Sequence, residues 1–170
     1  MILLDRRNFL SLAAAGAASS LLPRAAHAAL ASNVFTAAPE GGLVDSTVVL
    51  GEERAVLIDA QFTVPNAMRL ADMIAATGRE LETIFITHYH PDHHLGLEVF
   101  VQRFPGVKVL THAKIQPLME KSAAGMLKGL SSGAPAGVFA ENAIIPEALD
   151  GSVIMLEGER LEVLDPMHGD

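Results

Sequence analysis

The sequence predicts an α+β fold in which helices cover a β-sheet that carries a functional site at its edge. Between residues 46 and 110 the pattern is strand, strand, helix, strand, helix, strand. A histidine-rich segment, residues 87–96, falls at the turn between the third of these strands and the second helix. Ligand-binding groups commonly lie at the carboxyl ends of strands in such layered folds. With 170 residues, half of them apolar, the chain is long enough for one domain with its own core.

Composition excludes several kinds of chemistry. The chain has no cysteine, so it has no disulfides, no thiolate metal ligands and no cysteine nucleophile. Any metal must bind nitrogen and oxygen atoms. The net charge of -8 argues against binding to nucleic acid or to an anionic membrane surface. We therefore expect a small-molecule substrate.

Residues 1–28 are expected to form a signal peptide, which leaves residues 29–170 as the folded domain. Charged residues precede an apolar run of about 13 residues, too short for a bilayer core that needs about 20. The run is followed by a small-residue cleavage site ending at Ala28. A stable membrane anchor is therefore not expected. The alternative is a basic amphipathic helix, which has no reason to end in a cleavage pattern.

The paired arginines define the predicted export route. Arg6, Arg7, Phe9 and Leu10 resemble a twin-arginine signal, which directs folded proteins to the bacterial export machinery. Asp5 and Ser11 depart from the usual residues at their positions. We expect the protein to be periplasmic or secreted, and exported in the folded state.

The first half of the domain reads as a hairpin followed by alternating helices and strands. Gly51 to Arg54 separates two β-rich runs, so a hairpin is predicted there. Thr63 is expected to cap the first helix and Gly78 to end it. The predicted elements are strands at 34–36, 46–50, 55–59, 82–87 and 107–110, and helices at 63–77 and 91–104.

The second half is predicted to contain one more helix and one more hairpin. Thr111 is expected to cap a helix that runs to about residue 130. A Gly- and Pro-containing loop at 131–137 follows, and strands at 154–156 and 161–164 form the second hairpin. The apolar side of the third helix is predicted to consist of Ile115, Leu118, Met119 and Met126.

The histidine-rich segment has the spacing of a metal site. His88 and His90 are two apart at the end of an extended run, so their side chains leave the same face. Pro91 suits the first position of a helix, which places Asp92 and His93 in its first turn. There the helix dipole is expected to favour ionised Asp92 and to disfavour protonated His93. A solvated polar turn is the alternative, and it does not explain this clustering directly after an apolar strand.

Two further histidines are given a lesser role. His94 should point away from His93 on the helix, either supporting the site or lying at the surface. His112, beside Thr111, is expected to be exposed and without a function.

The motif resembles the signature T-H-x-H-x-D-H-x-x-G of the metallo-β-lactamase superfamily; it runs from Thr87 to Gly96. The resemblance implies a four-layer αββα sandwich that holds one or two metal ions between its sheets, usually zinc, with iron as an alternative. Carried over by position, His88, His90 and His168 would hold the first metal, and Asp92 with His93 the second. It also implies that Asp59 and Gly96 support the site structurally.

The same resemblance implies a hydrolase. Zinc would activate a water molecule to attack a small ester, lactone, thioester or amide, and it allows a β-lactam. Asp92 would be the catalytic residue, orienting the nucleophile and passing a proton to the leaving group.

Two other functions stay open. An iron-dependent sulfur oxygenase of the same fold keeps these histidines, whereas the diiron redox branch typically has Glu in the place of His90. The family also has a bridging Asp and a final His in a second half that this sequence does not supply. The chain is therefore expected to be incomplete at its C-terminus, and a truncated, non-catalytic metal-binding protein is the second alternative.

Overall fold

The computed structural model describes residues 29–166. The predicted signal peptide and the predicted ligand His168 lie outside this range. The strands are β1 Ala31–Thr36, β2 Asp45–Leu50, β3 Arg54–Ile58, β4 Glu80–Ile86, β5 Lys108–Thr111, β6 Glu147–Ala148, β7 Val153–Leu156 and β8 Glu159–Glu162. The helices are α1 Val64–Ala76, α2 Pro91–His94, α3 Leu97–Arg103 and α4 Gln116–Ser131, with a short 3-10 helix at Pro39–Gly41.

Six strands form one sheet in sequence order, from β1 to β6. The first three strands are antiparallel neighbours, whereas β3, β4, β5 and β6 run parallel. Parallel strands need crossover connections, and helices α1 to α4 supply them. The carboxyl ends of β3 and β4 therefore lie side by side at one edge of the sheet.

The two faces of this sheet bury different partners, because successive side chains in a strand point to opposite faces. One face packs against α1, α3 and α4 in the larger core, through residues such as Leu57, Ile84 and Phe100. The other face packs against the β7–β8 hairpin through Val56 and Phe85. The α+β prediction is confirmed, and the described residues form three successive layers of the expected αββα order.

A carboxylate joins the two sheets. Glu157, in the turn between β7 and β8, accepts hydrogen bonds from the backbone N–H groups of Glu52, Glu53 and Arg54 at 2.5 to 2.7 Å. These backbone hydrogen bonds hold the pKa of Glu157 below its ordinary value. The second hairpin is thereby fastened to the turn between β2 and β3, about 100 residues earlier.

The predicted helix over 91–104 is wrong in one respect, because it is two helices. Gly96 lies between them, and its N–H donates to the carbonyl of Gln61 at 2.9 Å rather than continuing a helical pattern. A Cβ at Gly96 would overlap the carbonyl oxygen of Ala60 and lie 2.8 Å from the Cβ of Ala67. The chain therefore turns here because two backbones approach closely, and only glycine leaves room for that approach.

Three smaller expectations about helices are also corrected. Thr63 occupies the cap position of α1 but makes no side-chain cap hydrogen bond. Thr111 does not cap α4, because it lies buried in β5 and its hydroxyl donates to the carbonyl of Ile86 at 2.8 Å. Leu118 is 42% exposed, because the buried side of α4 is formed by Met119, Ala123 and Leu127.

Within residues 29–166, none of the helices combines the length and the apolar character that crossing a bilayer requires.

Candidate metal site

The site begins where β3 and β4 end beside each other. Ile58 pairs with Phe85, and the next residue, Asp59, donates its N–H to the Phe85 carbonyl at 2.9 Å. This register places Asp59 directly against Thr87, the first residue after β4. Two segments 28 residues apart in sequence thus form one site, at the sheet edge where the sequence predicted it.

Asp59 is the most heavily bonded side chain of the site. It is 5% exposed, and its carboxylate accepts the Thr87 N–H at 2.8 Å, the Thr87 hydroxyl at 2.8 Å and Nδ1–H of His93 at 2.8 Å. Its backbone is left-handed, with φ of 61°, a conformation that Asp tolerates better than most residues. Its neighbour Ala60 donates its N–H to the His93 carbonyl at 2.7 Å. Asp59 therefore connects β3 to the loop after β4 and to α2.

These hydrogen bonds fix which ring nitrogens are free. A carboxylate only accepts, so His93 donates from Nδ1 and keeps its Nε2 for another partner. Thr87 has a single hydroxyl proton, which goes to Asp59; its oxygen then accepts from Nδ1 of His88 at 2.9 Å. His88 is left with a free Nε2 as well. One carboxylate thus sets the tautomers of two histidines.

The imidazole rings lie together as the spacing predicted. The ring centroids of His88 and His93 are 4.0 Å apart, and those of His88 and His90 are 4.8 Å apart. Asp59, His88 and His93 each offer a ligand atom, and these atoms all lie within 4.8 Å of one another. This is the one such cluster among the described residues. Nitrogen and carboxylate donors of this kind suit a divalent metal such as zinc.

Asp92 and His90 lie at the margin of that cluster. Oδ2 of Asp92 is 3.4 Å from Nε2 of His93, and the Asp92 side chain is 38% exposed. His90 is exposed and occupies the cap position of α2. Both groups are open to solvent, whereas His88 and His93 are partly buried. The site is therefore accessible from the side of His90 and Asp92.

The pKa values of His88 and His93 are shifted in opposite directions. Burial, with the nearby charge of His93, lowers the pKa of His88 below its ordinary 6.5. Burial also opposes the charged form of His93, but the hydrogen bond and charge of Asp59, with the charge of Asp92, outweigh it and raise the pKa of His93. The net shift is therefore opposite to the one expected from the helix dipole, because Asp59 and Asp92 favour the protonated form of His93.

His94 is not a surface residue. It is 1% exposed, and its Nε2 lies 3.2 Å from the carbonyl oxygen of Tyr89. Burial lowers the pKa of His94 to about 4, so the ring is neutral near pH 7. The sequence could not distinguish this position, because His93 and His94 differ only in which side of a short helix they occupy.

His112 is also less exposed than predicted. Its side chain is 13% exposed, and Nε2 lies 3.1 Å from a carboxylate oxygen of Asp165. Its Nδ1 accepts the backbone N–H of Lys114 at 3.1 Å, and the Lys114 ammonium also contacts Asp165. The hydrogen bond and charge of Lys114 hold the pKa of Asp165 below its ordinary value. Both ring nitrogens of His112 are thus engaged by protein groups.

Thr87 and Tyr89 are the positions whose roles sequence reasoning missed. Thr87 connects Asp59 to His88, and Tyr89 presents the carbonyl that contacts His94. A hydroxyl residue immediately before the first histidine was the available signal for Thr87. No comparable signal exists for a backbone carbonyl.

Comparison with known proteins gives a family match and a shared fold. The family model described as the metallo-beta-lactamase superfamily matches residues 39–169. The BLEG-1 B3 metallo-beta-lactamase is 16% identical with a TM-score of 0.55, over 78% of this chain and 59% of that one. The FEZ-1 metallo-beta-lactamase of Legionella gormanii is 19% identical with a TM-score of 0.52, over 69% of this chain and 45% of that one. The chain therefore spans about half the length of these structures.

Proposed function

Because the chain belongs to the metallo-beta-lactamase superfamily, we propose that it serves as a metal-dependent hydrolase of a small ester, lactone, thioester or amide. One observation carries the proposal: Asp59 sets the tautomers of two adjacent imidazoles through their Nδ1 atoms and engages neither Nε2. A polar turn without a ligand has no need for such an arrangement. Zinc is the proposed metal, because the donors are nitrogen and oxygen.

The proposed ligands are His88, His90, Asp92 and His93, with His168 as a further ligand. Asp59 is close enough to be counted among them, but both of its oxygens already accept hydrogen bonds from Thr87 and His93. A carboxylate that accepts the second ring N–H of a ligand histidine is the usual support for a metal site. We therefore assign Asp59 to support.

The chain's own residues fit the chemistry of a hydrolase. A bound Zn²⁺ would supply the hydrolytic chemistry by lowering the pKa of a coordinated water to about 7 and polarising a substrate carbonyl. His88 and His93 would present Nε2 in the tautomers that Asp59 sets through their Nδ1 atoms. Asp92, partly exposed and 3.4 Å from Nε2 of His93, can accept a proton on the accessible side and donate it to a leaving group.

A cavity of about 270 Å³ beside the site favours a small substrate with an apolar part. It lies between the two sheets, and Thr87 and His112 are among its few polar lining residues. Pockets that bind small molecules are mostly apolar with a few polar groups at one side. Its apolar lining comes from Ile58, Phe85, Ile154, Leu161, Val163, Leu164 and Pro166.

The test compares His90→Ala with His112→Ala in the full chain. His90→Ala removes a proposed ligand and should bind at least tenfold less zinc after dialysis, with a matching loss of hydrolysis on a lactone, thioester and β-lactam panel. His112→Ala should keep its zinc, because both of its ring nitrogens are engaged by protein groups. Equal zinc loss in both variants would contradict the ligand set. Zinc binding by the wild type without hydrolysis of any substrate would favour a non-catalytic metal-binding protein.

We also propose that the protein is exported through the twin-arginine route, on the strength of Arg6, Arg7 and the cleavage pattern ending at Ala28. In a bacterial host, mass spectrometry of the periplasmic fraction should find a chain that begins at Ala29. Replacing both arginines with lysine keeps the charge and should block export. Unchanged export of that variant would refute the route.

A further inference from the structure

His94 lies against the candidate site but supplies no atom to it. Its ring is 1% exposed, and its Nε2 lies 3.2 Å from the Tyr89 carbonyl oxygen. A carbonyl oxygen only accepts, so His94 donates the Nε2 proton and its Nδ1 carries none. That Nδ1 is buried and has no hydrogen-bond partner within residues 29–166. Burying a histidine with one unpaired ring nitrogen costs free energy of folding. We therefore ask what its single hydrogen bond does for the structure.

The acceptor of that hydrogen bond is placed between two proposed ligands. Tyr89 separates His88 from His90 in the irregular segment that joins β4 to α2. Its carbonyl belongs to the peptide unit that leads into His90. Among the backbone hydrogen bonds of the described residues, none engages this oxygen. His94 is therefore the group that fixes this peptide unit.

The aromatic ring of Tyr89 is held as well. It packs against the larger core, and its centroid lies 4.9 Å from that of His90. The ring and the carbonyl of one residue are thus anchored on different partners. Rotation of the peptide between Tyr89 and His90 would turn the His90 ring relative to His88, and these rings now lie 4.8 Å apart at an interplanar angle of 79°.

We propose that His94 is a positioning residue that sets the geometry of His88 and His90 by holding the Tyr89 carbonyl with its Nε2–H. The inference rests on the proposed function, since it treats these two histidines as ligands. A ligand pair must be held to within a fraction of an ångström, and groups that orient ligands typically change metal affinity 10- to 100-fold when removed.

The reach of the side chain allows a specific test. The amide of glutamine can place an N–H near the position of Nε2, whereas the shorter asparagine places it near Nδ1. His94→Gln should therefore restore the bond to Tyr89, and His94→Asn should not. His94→Leu fills the space without any donor. The Gln and Asn variants carry the same chemical group, so a difference between them reports where the donor lies.

Zinc affinity is measured for each full-length variant by competition with a chromophoric chelator, and urea unfolding of the metal-free chains identifies variants that fold. We expect the His94→Gln variant to bind zinc within about threefold of the wild type, and the Asn and Leu variants to bind at least tenfold more weakly. If the Leu variant does not fold, the Gln and Asn pair decides the result.

Equal affinity in the Asn variant and the wild type would overturn the inference, as would a Gln variant as weak as the Asn variant. A separate result would refute the proposed function. If the wild type binds no zinc, both the proposed function and the role of His94 are wrong. A wild type that binds zinc, a His90→Ala variant that does not, and an unaffected His94→Asn variant would refute the inference alone.

Discussion

The Asp59→Asn variant is expected to bind zinc 10- to 100-fold more weakly than the wild type, because Asn cannot accept all the hydrogen bonds that Asp59 accepts from Thr87 and His93. The loss of these charge-assisted bonds should also reduce the free energy of unfolding by about 2 to 3 kcal/mol. Asn tolerates the left-handed backbone at this position, so the change acts through the carboxylate.

The metal-free variant provides a second measurement. Asp59 is one of the groups that raise the pKa of His93, so an NMR titration of the His93 ring should show a lower pKa in Asp59→Asn. Asp45→Asn is the control, because it makes the same change at an exposed strand residue. Zinc affinity equal to that of the control would contradict the supporting role of Asp59.

The Gly96→Ala variant is expected to lose about 3 kcal/mol of stability, at the upper end of what overpacking usually costs. The added methyl group would overlap the Ala60 carbonyl and crowd Ala67, and neither belongs to a flexible side chain that can move aside. Because Gly96 also donates its N–H to Gln61, a shift of this backbone would move α2 away from Asp59.

Gly125→Ala is the matched control for Gly96. Gly125 lies within α4, and a Cβ there would have no neighbour within 4 Å. Alanine favours a helix over glycine by about 0.5 to 1 kcal/mol, so this variant should be slightly more stable than the wild type. Urea unfolding followed by circular dichroism measures both changes. Equal stability of the two variants would contradict the close approach at Gly96.

Local sequence pattern predicted the parts of the fold that depend on neighbouring residues. The hairpin of β2 and β3 was predictable because its two β-rich runs are adjacent, and β4 because its apolar residues are continuous. The grouping of His88, His90 and His93 followed in the same way from spacing. These features require no knowledge of the rest of the chain.

The errors arise where distant segments meet. The break at Gly96 depends on Ala60 and Gln61, which come 36 and 35 residues earlier in the chain. The raised pKa of His93 depends on Asp59, 34 residues earlier. Periodicity within a short window contains no information about such contacts. The helix was therefore predicted to continue past Gly96, and its dipole was expected to favour the neutral form of His93.

An anomalous difference map at the zinc absorption edge, from crystals of the full chain grown with zinc, would show directly whether zinc binds at His88 and His93. We expect zinc peaks, one or two, bonded to Nε2 of His88 and to Nε2 of His93, with Asp59 still hydrogen-bonded to Nδ1 of His93. A map with no peak at these residues, or with the metal bound elsewhere on the chain, would contradict this expectation.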